Sequence, residues 1–259
     1  MEIKLVFFGT DGFAMPVLEK LREFGNVIGV VNATSHKSLK NVPALEELLK
    51  QADVAVVGSY GKIIPKHFLG LPKKGFLNIH PSLLPKYRGP SPVPYTLLND
   101  EKETGVTIIK MDEQIDHGPI IAQERTSVDP DERFSGMIVR LWLMGADLLI
   151  KVLPDYLEDK ITPRAQDDSQ ATFTKLMKKD DAKVDLAVSP PSEIYNKFRA
   201  YDTWPGIWII HKGKRVKILD YKPGQVITVQ PEGKKPMSLK EFENGYGKLV
   251  SPKAPQSAS

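Results

Sequence analysis

The chain has 259 residues, of which 41% are hydrophobic and 26% are charged, the composition of a globular protein with a sizeable buried core. This length favours two domains. Cysteine is absent, which excludes disulfide bonds, thiolate zinc sites and cysteine nucleophiles.

The formal net charge of +4 is unevenly distributed along the chain. Residues 197–253 contain 12 Lys or Arg against 5 Asp or Glu, whereas the rest of the chain is slightly acidic. A basic segment of this kind indicates a polyanionic partner, although a generic basic surface has the same composition. No apolar run approaches the roughly 18 residues needed to span a bilayer. We therefore expect no membrane partner and a cytoplasmic protein.

The N-terminal half alternates apolar runs with amphipathic segments. A strand at 3–8 leads through the turn GTDG to a helix at about 13–24, and the run NVIGVVNA, a helix near 44–50 and the run ADVAVVG repeat the pattern. Continuous apolar strands between helices predict a Rossmann-like α/β fold with a mostly parallel sheet, covered on both faces. Gly9 and Gly12 lack the full G-x-G-x-x-G spacing, which disfavours a nicotinamide site.

The later elements predict a second, smaller domain. The runs GFLNIH, TGVTIIKM and PIIAQERTSV continue the sheet, and a helix at about 134–153 closes the first domain. A helix at 192–200 precedes the short alternating runs WIIHKG, RVKILDY and QVITVQ, which predict a small antiparallel OB-like β-barrel. The expected segments are a first domain at 1–160, a polar linker at 161–190, a small domain at 191–250 and a disordered tail at 251–259.

Two polar side chains lie at the end of the predicted strand GFLNIH. Asn78 and His80 are two positions apart, so they project from the same face of the strand. Ligands of open α/β sheets bind beyond the carboxyl ends of the strands, which makes this pair a candidate site. The alternative is structural, with Asn78 capping the loop and His80 bonding a buried backbone group.

A proline-rich loop follows this strand. Its prolines are Pro81, Pro85, Pro90, Pro92 and Pro94. Proline fixes φ, and Gly89 permits close approaches that a side chain forbids, so the loop is suited to hold a ligand. Tyr87 and Arg88 could contact a planar or anionic ligand from this loop, or could form a solvated pair.

A third candidate, Asp116, lies in the segment MDEQIDHG after the predicted strand TGVTIIKM. Asp112 and Glu113 are close by, and a loop with three carboxylates is often simply exposed to solvent. Beside a histidine at a strand end, however, a carboxylate orients the imidazole and favours its protonated form. Such a pair can donate a hydrogen bond to a developing oxyanion and assist proton removal.

The segment NIHPSLLPKYRG, followed after some 25 residues by DEQIDHG, resembles the formyltransferases that use 10-formyltetrahydrofolate. This resemblance implies that Asn78, His80 and Asp116 form the catalytic group. It also implies a folate-contacting turn made of Ser82, Leu83, Leu84 and Pro85. The co-substrate expected from the resemblance is 10-formyltetrahydrofolate.

Within this family the chain is similar to the members that act on initiator methionyl-tRNA, through FFGTDGFAMPVLEKL, SYGKIIPK, NKFRAYDTWPGIW and VQPEGKKPMSLKEF. The expected tRNA contacts are Lys37, Lys40, Arg88, Arg199, Lys214 and Arg215. Two departures concern tRNA binding. The connection NATSHKSLKNVP is shorter than the basic loop of those members, and the small C-terminal domain is also shortened.

Two other functions remain open on these residues. A sugar-nucleotide N-formyltransferase would share the catalytic domain, and a non-catalytic RNA-binding relative would have no need to retain Asn78, His80 and Asp116 together. No cluster with the spacing of metal ligands occurs among the five His and the carboxylates, so no metal is expected. We expect a monomer.

Overall fold

The computed structural model describes residues 2–10, 12–33 and 42–249, which form two compact units. The first unit draws on segments 1–92, 102–128 and 137–175, and the second draws on segments 93–101, 129–136 and 176–259. The predicted linker is therefore divided between the two units at residue 175. The predicted tail at 251–259 lies outside the described residues.

The first unit contains a six-stranded sheet with the strand order β2-β1-β3-β4-β5-β6. Its strands are β1 Lys4–Phe8, β2 Asn26–Val31, β3 Val54–Val57, β4 Phe76–His80, β5 Glu103–Lys110 and β6 Ile120–Ser127. The first four strands pair in parallel, whereas β5 runs antiparallel to both of its neighbours. The mostly parallel α/β fold predicted from the alternating apolar runs is thus confirmed.

The helices of the N-terminal 157 residues are α1 Met15–Phe24, α2 Pro43–Gln51, α3 Lys66–Leu69, α4 Pro92–Leu98 and α5 Phe134–Leu157. Helix α1 has proline in its first turn and buries Val17, Leu18 and Leu21, which recur at helical spacing on one face. Among the described residues, no helix is long and apolar enough to cross a membrane.

Close packing of α5 on β4 positions the strand that ends in His80. A Cβ atom at Gly145 in α5 would lie 2.4 Å from Cγ2 of Ile79 in β4, so only a glycine permits this helix to approach the strand as it does. The neighbouring strands β1 and β3 are almost fully buried, and the Phe8 ring packs 5.2 Å from the Phe76 ring. The carboxyl end of β4 therefore rests on a rigid core.

The second unit contains a four-stranded antiparallel sheet with the order β10-β9-β8-β7. Its strands are β7 Trp208–His211, β8 Lys214–Lys222, β9 Gln225–Pro231 and β10 Met237–Ser238, and its helices are α6 Pro191–Ala200 and α7 Leu239–Tyr246. The antiparallel strands predicted from period-two patterning are confirmed. The described sheet is open, with β7 and β10 at its edges, and α7 begins at a capping box between Ser238 and Glu241.

Candidate active site

The candidate site begins at the carboxyl end of β4, where parallel pairing gives way to antiparallel pairing. Asn78 is half-buried and His80 is buried at this end. The loop after β5 starts beside the same strand, because Met111 N–H donates to the Phe76 carbonyl at 2.8 Å. The loop then folds back, and Asp116 reaches both polar side chains of β4.

Asp116 connects the residues predicted to be catalytic. Its Oδ1 accepts a hydrogen bond from Asn78 Nδ2 at 3.1 Å and lies 3.6 Å from His80 Nδ1. Its Oδ2 accepts from the Gly89 N–H at 2.8 Å. The Asp116 side chain is 14% exposed, so part of it faces solvent. The structure brings the three predicted side chains together and adds the Gly89 backbone as a fourth member.

The Tyr87 carbonyl determines which nitrogen of His80 faces Asp116. His80 Nε2 lies 2.9 Å from the Tyr87 oxygen. Because a carbonyl can only accept a hydrogen bond, Nε2 carries a hydrogen and Nδ1 is the basic nitrogen of the neutral ring. A further proton is therefore taken up at Nδ1, which faces Asp116. The structural role that the sequence allowed for His80 is also present, since its Nε2 bonds the buried backbone carbonyl of Tyr87.

The loop after β4 is held by buried polar contacts. Ser82 Oγ donates to the Lys86 carbonyl at 2.6 Å, which closes the turn. Thr107 Oγ1, in β5, donates to the Ser82 carbonyl at 2.6 Å and accepts from Leu84 N–H at 3.1 Å. Gln123 Nε2, in β6, donates to the Leu84 carbonyl at 2.9 Å. The turn is therefore preorganised by two strands beneath it.

The predicted folate-contacting turn, Ser82 to Pro85, alternates in burial. Ser82 and Leu84 are buried, and Leu84 packs with Ile109 and Ile120. Leu83 and Pro85 are half-buried. Two of the four predicted residues thus anchor the turn, and contact with folate stays a prediction for all four.

A segment assigned to the linker by its polar sequence forms part of the site. Within residues 164–174, the Thr172 carbonyl accepts from Arg88 N–H at 2.9 Å, and Thr174 N–H donates to the Arg88 carbonyl at 2.8 Å. Thr174 Oγ1 also accepts from Ser91 N–H at 3.1 Å. The segment, which we call the strap, therefore pairs with the proline-rich loop along its backbone.

The Arg88 side chain points into the protein and is 4% exposed. Its Nε and Nη2 donate to Gln166 Oε1 at 3.1 and 2.9 Å, and Nη2 also donates to Asp168 Oδ1 at 2.7 Å. The hydrogen bond from Arg88 lowers the pKa of Asp168, and the nearby His117 adds to this effect. The Arg88 guanidinium is buried in these bonds, and its expected contact with tRNA stays a prediction.

His117 follows Asp116 and bonds two carboxylates. Its Nδ1 lies 2.6 Å from Asp112 Oδ2, and its Nε2 lies 3.3 Å from Asp168 Oδ2. The hydrogen bond to Asp112 raises the pKa of His117, and the charge of Asp168 adds to the increase. The His117 imidazole thus links the loop of Asp116 to the strap. His117 was not among the residues predicted from the sequence, although a histidine beside a predicted catalytic carboxylate was a usable signal.

The remaining expected tRNA contacts differ in exposure. Lys37 and Lys40 lie outside the described residues, and Lys214 is exposed at the start of β8. Arg199 is 2% exposed and donates to Asp100 and Asn196 through Nη2, and its expected contact with tRNA stays a prediction.

Arg215 is half-buried, and its guanidinium carbon lies 4.4 Å from the centroid of the Trp208 ring. Two of its nitrogens, Nε and Nη2, are buried without a hydrogen-bond partner in the described structure. Of the four expected contacts that lie in the described part of the chain, Lys214 has the open exposure that a phosphate contact requires. Within residues 2–10, 12–33 and 42–249, no group of three or more His, Asp or Glu side chains could hold a metal ion.

Comparison with protein families gives two matches. A formyl transferase family model matches residues 4–153, and a model of the formyl transferase C-terminal domain matches residues 176–226. The first match covers all six strands of the first sheet, and it includes Asn78, His80 and Asp116. The second match begins at residue 176, where the last segment of the second unit begins.

Curated relatives match over nearly the whole chain. A methionyl-tRNA formyltransferase from Roseiflexus sp. (strain RS-1) is 34% identical over 303 aligned positions, which cover 95% of this chain and 93% of the relative. One from a strain of Thermus thermophilus is 36% identical, covering 95% of this chain and 97% of the relative. Because 303 positions exceed the 259 residues here, the Roseiflexus protein has residues in the aligned region that this chain lacks, as expected for a chain with shortened segments.

Solved structures share the fold at lower identity. A methionyl-tRNA formyltransferase from Clostridium thermocellum has a TM-score of 0.66 at 18% identity, covering 88% of this chain and 98% of that one. A sugar N-formyltransferase from Shewanella sp. FDAARGOS_354 has a TM-score of 0.67 at 18% identity, covering 85% and 97%.

HypX from Aquifex aeolicus, in complex with tetrahydrofolic acid, has a TM-score of 0.71 at 18% identity and covers all of this chain, which spans about half the length of HypX. The family model that covers residues 4–153 and the relatives above 30% identity over 95% of the chain agree in their assignment. This chain belongs to the formyl transferase family.

Proposed function

We propose that this protein transfers a formyl group from 10-formyltetrahydrofolate to the α-amino group of initiator methionyl-tRNA. The observation that carries the proposal is the convergence of Asn78, His80 and Asp116 at the end of β4. Family membership supports formyl transfer. The relatives named methionyl-tRNA formyltransferase, at 33–37% identity, support the identity of the accepting amine.

The reaction needs an acid and a base but no enzyme nucleophile. The free amine attacks the formyl carbon, and a tetrahedral intermediate with a negatively charged oxygen forms. The bond from this carbon to N10 of the folate then breaks, N10 takes up a proton, and the new amide has lost one proton from the amine. Both proton movements can pass through a paired imidazole and carboxylate.

His80 and Asn78 are the proposed donors to the negatively charged oxygen. In the protonated ring, Nε2 still donates to the Tyr87 carbonyl, which leaves the Nδ1 hydrogen for the oxyanion. Asn78 has a second amide hydrogen beyond the one donated to Asp116. Loss of one donor from an oxyanion site costs about 10²- to 10³-fold in rate.

Asp116 is the proposed partner of the charged imidazole and the acceptor for a proton of the attacking amine. Its Oδ1 lies 3.6 Å from His80 Nδ1, and both oxygens are oriented by hydrogen bonds from Asn78 and Gly89. A carboxylate held in this way cannot turn away from the imidazole. The amine is therefore deprotonated next to the group that stabilises the oxyanion.

Electrostatic attraction supports tRNA as the carrier of the amine. Exposed lysines project from the second unit at Lys212, Lys214, Lys217, Lys222, Lys234, Lys235, Lys240 and Lys248. Lysine contacts to phosphates give affinity that falls with rising salt and does not depend on base sequence. A sugar nucleotide presents far fewer phosphates, so a steep salt dependence would favour tRNA over that alternative.

The shared fold does not separate the two substrates, since the sugar N-formyltransferase and the methionyl-tRNA formyltransferase have nearly equal TM-scores. A paired assay does so. The purified protein is incubated with 10-formyltetrahydrofolate and either initiator methionyl-tRNA or a dTDP-linked amino sugar, and each formylated product is quantified. We expect N-formylmethionyl-tRNA. Formylation of the amino sugar alone would support the alternative, and no product from either would refute formyl transfer.

Variants of two histidines test the site in the same assay. His80→Ala should reduce formylation by at least about 10²-fold, as expected for loss of an oxyanion donor. His67→Ala is the matched control, because the His67 side chain is 52% exposed on α3. Normal transfer by a folded His80→Ala variant would exclude the proposed role of the imidazole.

A further inference from the structure

We propose that Gln166, in the strap, is a positioning residue that fixes the geometry of Asp116 for catalysis. This inference rests on the proposed function of Asp116. Gln166 Nε2 donates to the backbone carbonyl of Asp116 at 2.8 Å and to that of Gly118 at 2.8 Å. Its Oε1 accepts from Arg88 Nε at 3.1 Å and from Arg88 Nη2 at 2.9 Å.

All the hydrogen-bonding capacity of the Gln166 amide is used, since a glutamine has two amide hydrogens and two acceptor positions. The contacts also fix the orientation of the amide. Arg88 can only donate, and the two carbonyls can only accept, so turning the amide over would replace four hydrogen bonds by four repulsive contacts. No other protein side chain type provides two donors and two acceptors in this arrangement except asparagine, which is one carbon shorter.

The backbone of Asp116 needs such a restraint. Its φ is +49°, in the left-handed region that residues with side chains adopt at a cost of about 1–2 kcal/mol. A strained conformation persists where surrounding contacts determine it. The carbonyl of Asp116 is held by Gln166, and its carboxylate is held by Asn78 and Gly89. Release of the carbonyl would therefore allow the carboxylate to leave His80.

Gln166 also joins the two loops that build the site. Arg88 lies between Tyr87, whose carbonyl orients His80, and Gly89, whose N–H orients Asp116. Through the Arg88 guanidinium, Gln166 is attached to the proline-rich loop, and through the carbonyls of Asp116 and Gly118 it is attached to the other loop. One side chain thus sets the distance between the partner of the imidazole and the partner of the carboxylate.

The effect on catalysis should exceed the effect on binding, because Gln166 acts through the position of Asp116. Misplacement of a catalytic group by about 1 Å can cost about 10²-fold in rate. Gln166→Glu retains the shape of the side chain and an acceptor for Arg88, but places an oxygen against two carbonyls. Gln170→Glu is the matched control, since Gln170 is exposed in the same strap and its Nε2 donates to Asp167.

We expect Gln166→Glu to lower kcat for formyl transfer by about 10- to 100-fold while the KM for 10-formyltetrahydrofolate and for methionyl-tRNA each change by less than about threefold. Gln170→Glu should behave as the unmodified protein does. Equal kcat for the two variants, or a change confined to KM, would overturn the proposal. Thermal melting of each variant checks that the fold is retained.

A double variant tests whether the effect passes through Asp116. If it does, adding Gln166→Glu to Asp116→Asn should cause almost no further loss of kcat, because residues that act as a unit are not additive. Multiplicative losses would show an independent structural effect and would overturn the proposal.

A crystal structure of Gln166→Glu separates this proposal from the proposed function, because it does not depend on any activity. We expect the Asp116 carboxylate to move away from Asn78 and Gly89 by more than about 0.5 Å, the tolerance of a catalytic geometry. Unchanged distances would overturn the positioning role even if the protein formylates methionyl-tRNA. A displaced carboxylate in a protein without formyl transfer would instead contradict the proposed function alone.

Discussion

Replacing Asp116 by asparagine tests the centre of the proposed mechanism with almost no change in shape. The carboxylate accepts from Asn78 through Oδ1 and from Gly89 through Oδ2. An asparagine has one acceptor oxygen in place of two, so its amide nitrogen must face one of these two donors. One donor is then left without a partner, which costs about 1–3 kcal/mol of stability.

The catalytic loss is larger because the negative charge disappears beside His80. Two unit charges 3.6 Å apart attract by roughly 4.6 kcal/mol at an effective dielectric constant of about 20. Partial exposure of Asp116 weakens this attraction. We therefore expect the Asp116→Asn variant to lose at least half of this stabilisation of the imidazolium. Since 1.4 kcal/mol corresponds to a factor of ten, a loss of about 2.3 to 4.6 kcal/mol should lower kcat/KM by about 40- to 2000-fold.

The assay is the initial rate of N-formylmethionyl-tRNA formation, with thermal melting as the test of folding. Glu113→Gln is the matched control, since Glu113 is an exposed carboxylate of the same loop and forms a surface ion pair with Lys66. Its kcat/KM should stay within about twofold, as expected for loss of such a pair. A folded Asp116→Asn protein with a rate within tenfold of the unmodified enzyme would refute the proposed role of the carboxylate.

Three further predictions concern packing, pH and charge. Gly145→Ala should destabilise the protein by about 1–3 kcal/mol in thermal melts, because the new Cβ would lie 2.4 Å from a methyl group of β4. Gly136→Ala, in the same helix, is the control: its Cβ would have no atom within 4 Å, so the change should be neutral or stabilising. Because folding raises the pKa of His117, the protonated imidazole stabilises the fold fully below the pKa of the unfolded chain, about 6.5, and this stabilisation disappears as pH rises through the pKa of the folded protein. His117→Gln should therefore lower the melting temperature more at pH 6 than at pH 9. Arg199→Ala should lower the melting temperature without changing the salt dependence of tRNA binding, because Arg199 is buried. Lys214→Ala should reduce the slope of log affinity against log salt by about 0.7–0.9 with little loss of stability, because Lys214 is exposed. The opposite pattern would contradict the burial of Arg199 and the exposure of Lys214.

The strands of the sheet could be predicted because the sequence of each strand by itself indicates which residues are buried. The apolar runs of β1 and β3 are buried throughout, as expected for central parallel strands. The end of α5 was predicted less well. The sequence predicts an end at about 153, but the helix continues to Leu157 and includes Pro154, although proline lacks the N–H for the helical bond. Tyr156 explains the difference: it is buried in the last turn and donates to the Lys74 carbonyl at 2.9 Å.

The three proposed catalytic side chains could be predicted for a different reason. Asn78 and His80 are placed together by the period of two in a strand. Asp116 lies in the loop after the predicted strand TGVTIIKM, and the resemblance to formyltransferases joined it to the other two. Gln166 had no such signal, because its contacts join positions 50 and 78 residues apart in the chain. Its surrounding sequence is polar and rich in turn residues, which is typical of a linker. Tertiary hydrogen bonds of this range leave no periodic pattern in a single sequence.

The burial of Arg88 and Arg199 could not be predicted from the sequence, for one shared reason. A sequence shows where positive charges occur but does not show whether they are buried, and arginine is the cation best suited to buried hydrogen bonds because its planar group presents five donors. Arg88 has two partners in the strap, and Arg199 bonds Asp100 and Asn196. The lysines of β8 are more reliable candidates, since lysine is rarely buried without a partner.

The backbone of Gly89 shows how the proline-rich loop, the strap and the catalytic carboxylate depend on one another. Its φ is +110°, and a Cβ there would lie 2.8 Å from both the carbonyl oxygen and Oγ1 of Thr174. Glycine is therefore required for the loop to pair with the strap, and that pairing presents the Gly89 N–H to Asp116. Gln166, in the same strap, holds the backbone carbonyl of Asp116. The strap therefore holds the carbonyl of Asp116 directly and its carboxylate by way of Gly89. The distance between Asp116 and His80 thus depends on the strap, which lies outside both motifs, as well as on Asn78 and Gly89 in the first motif.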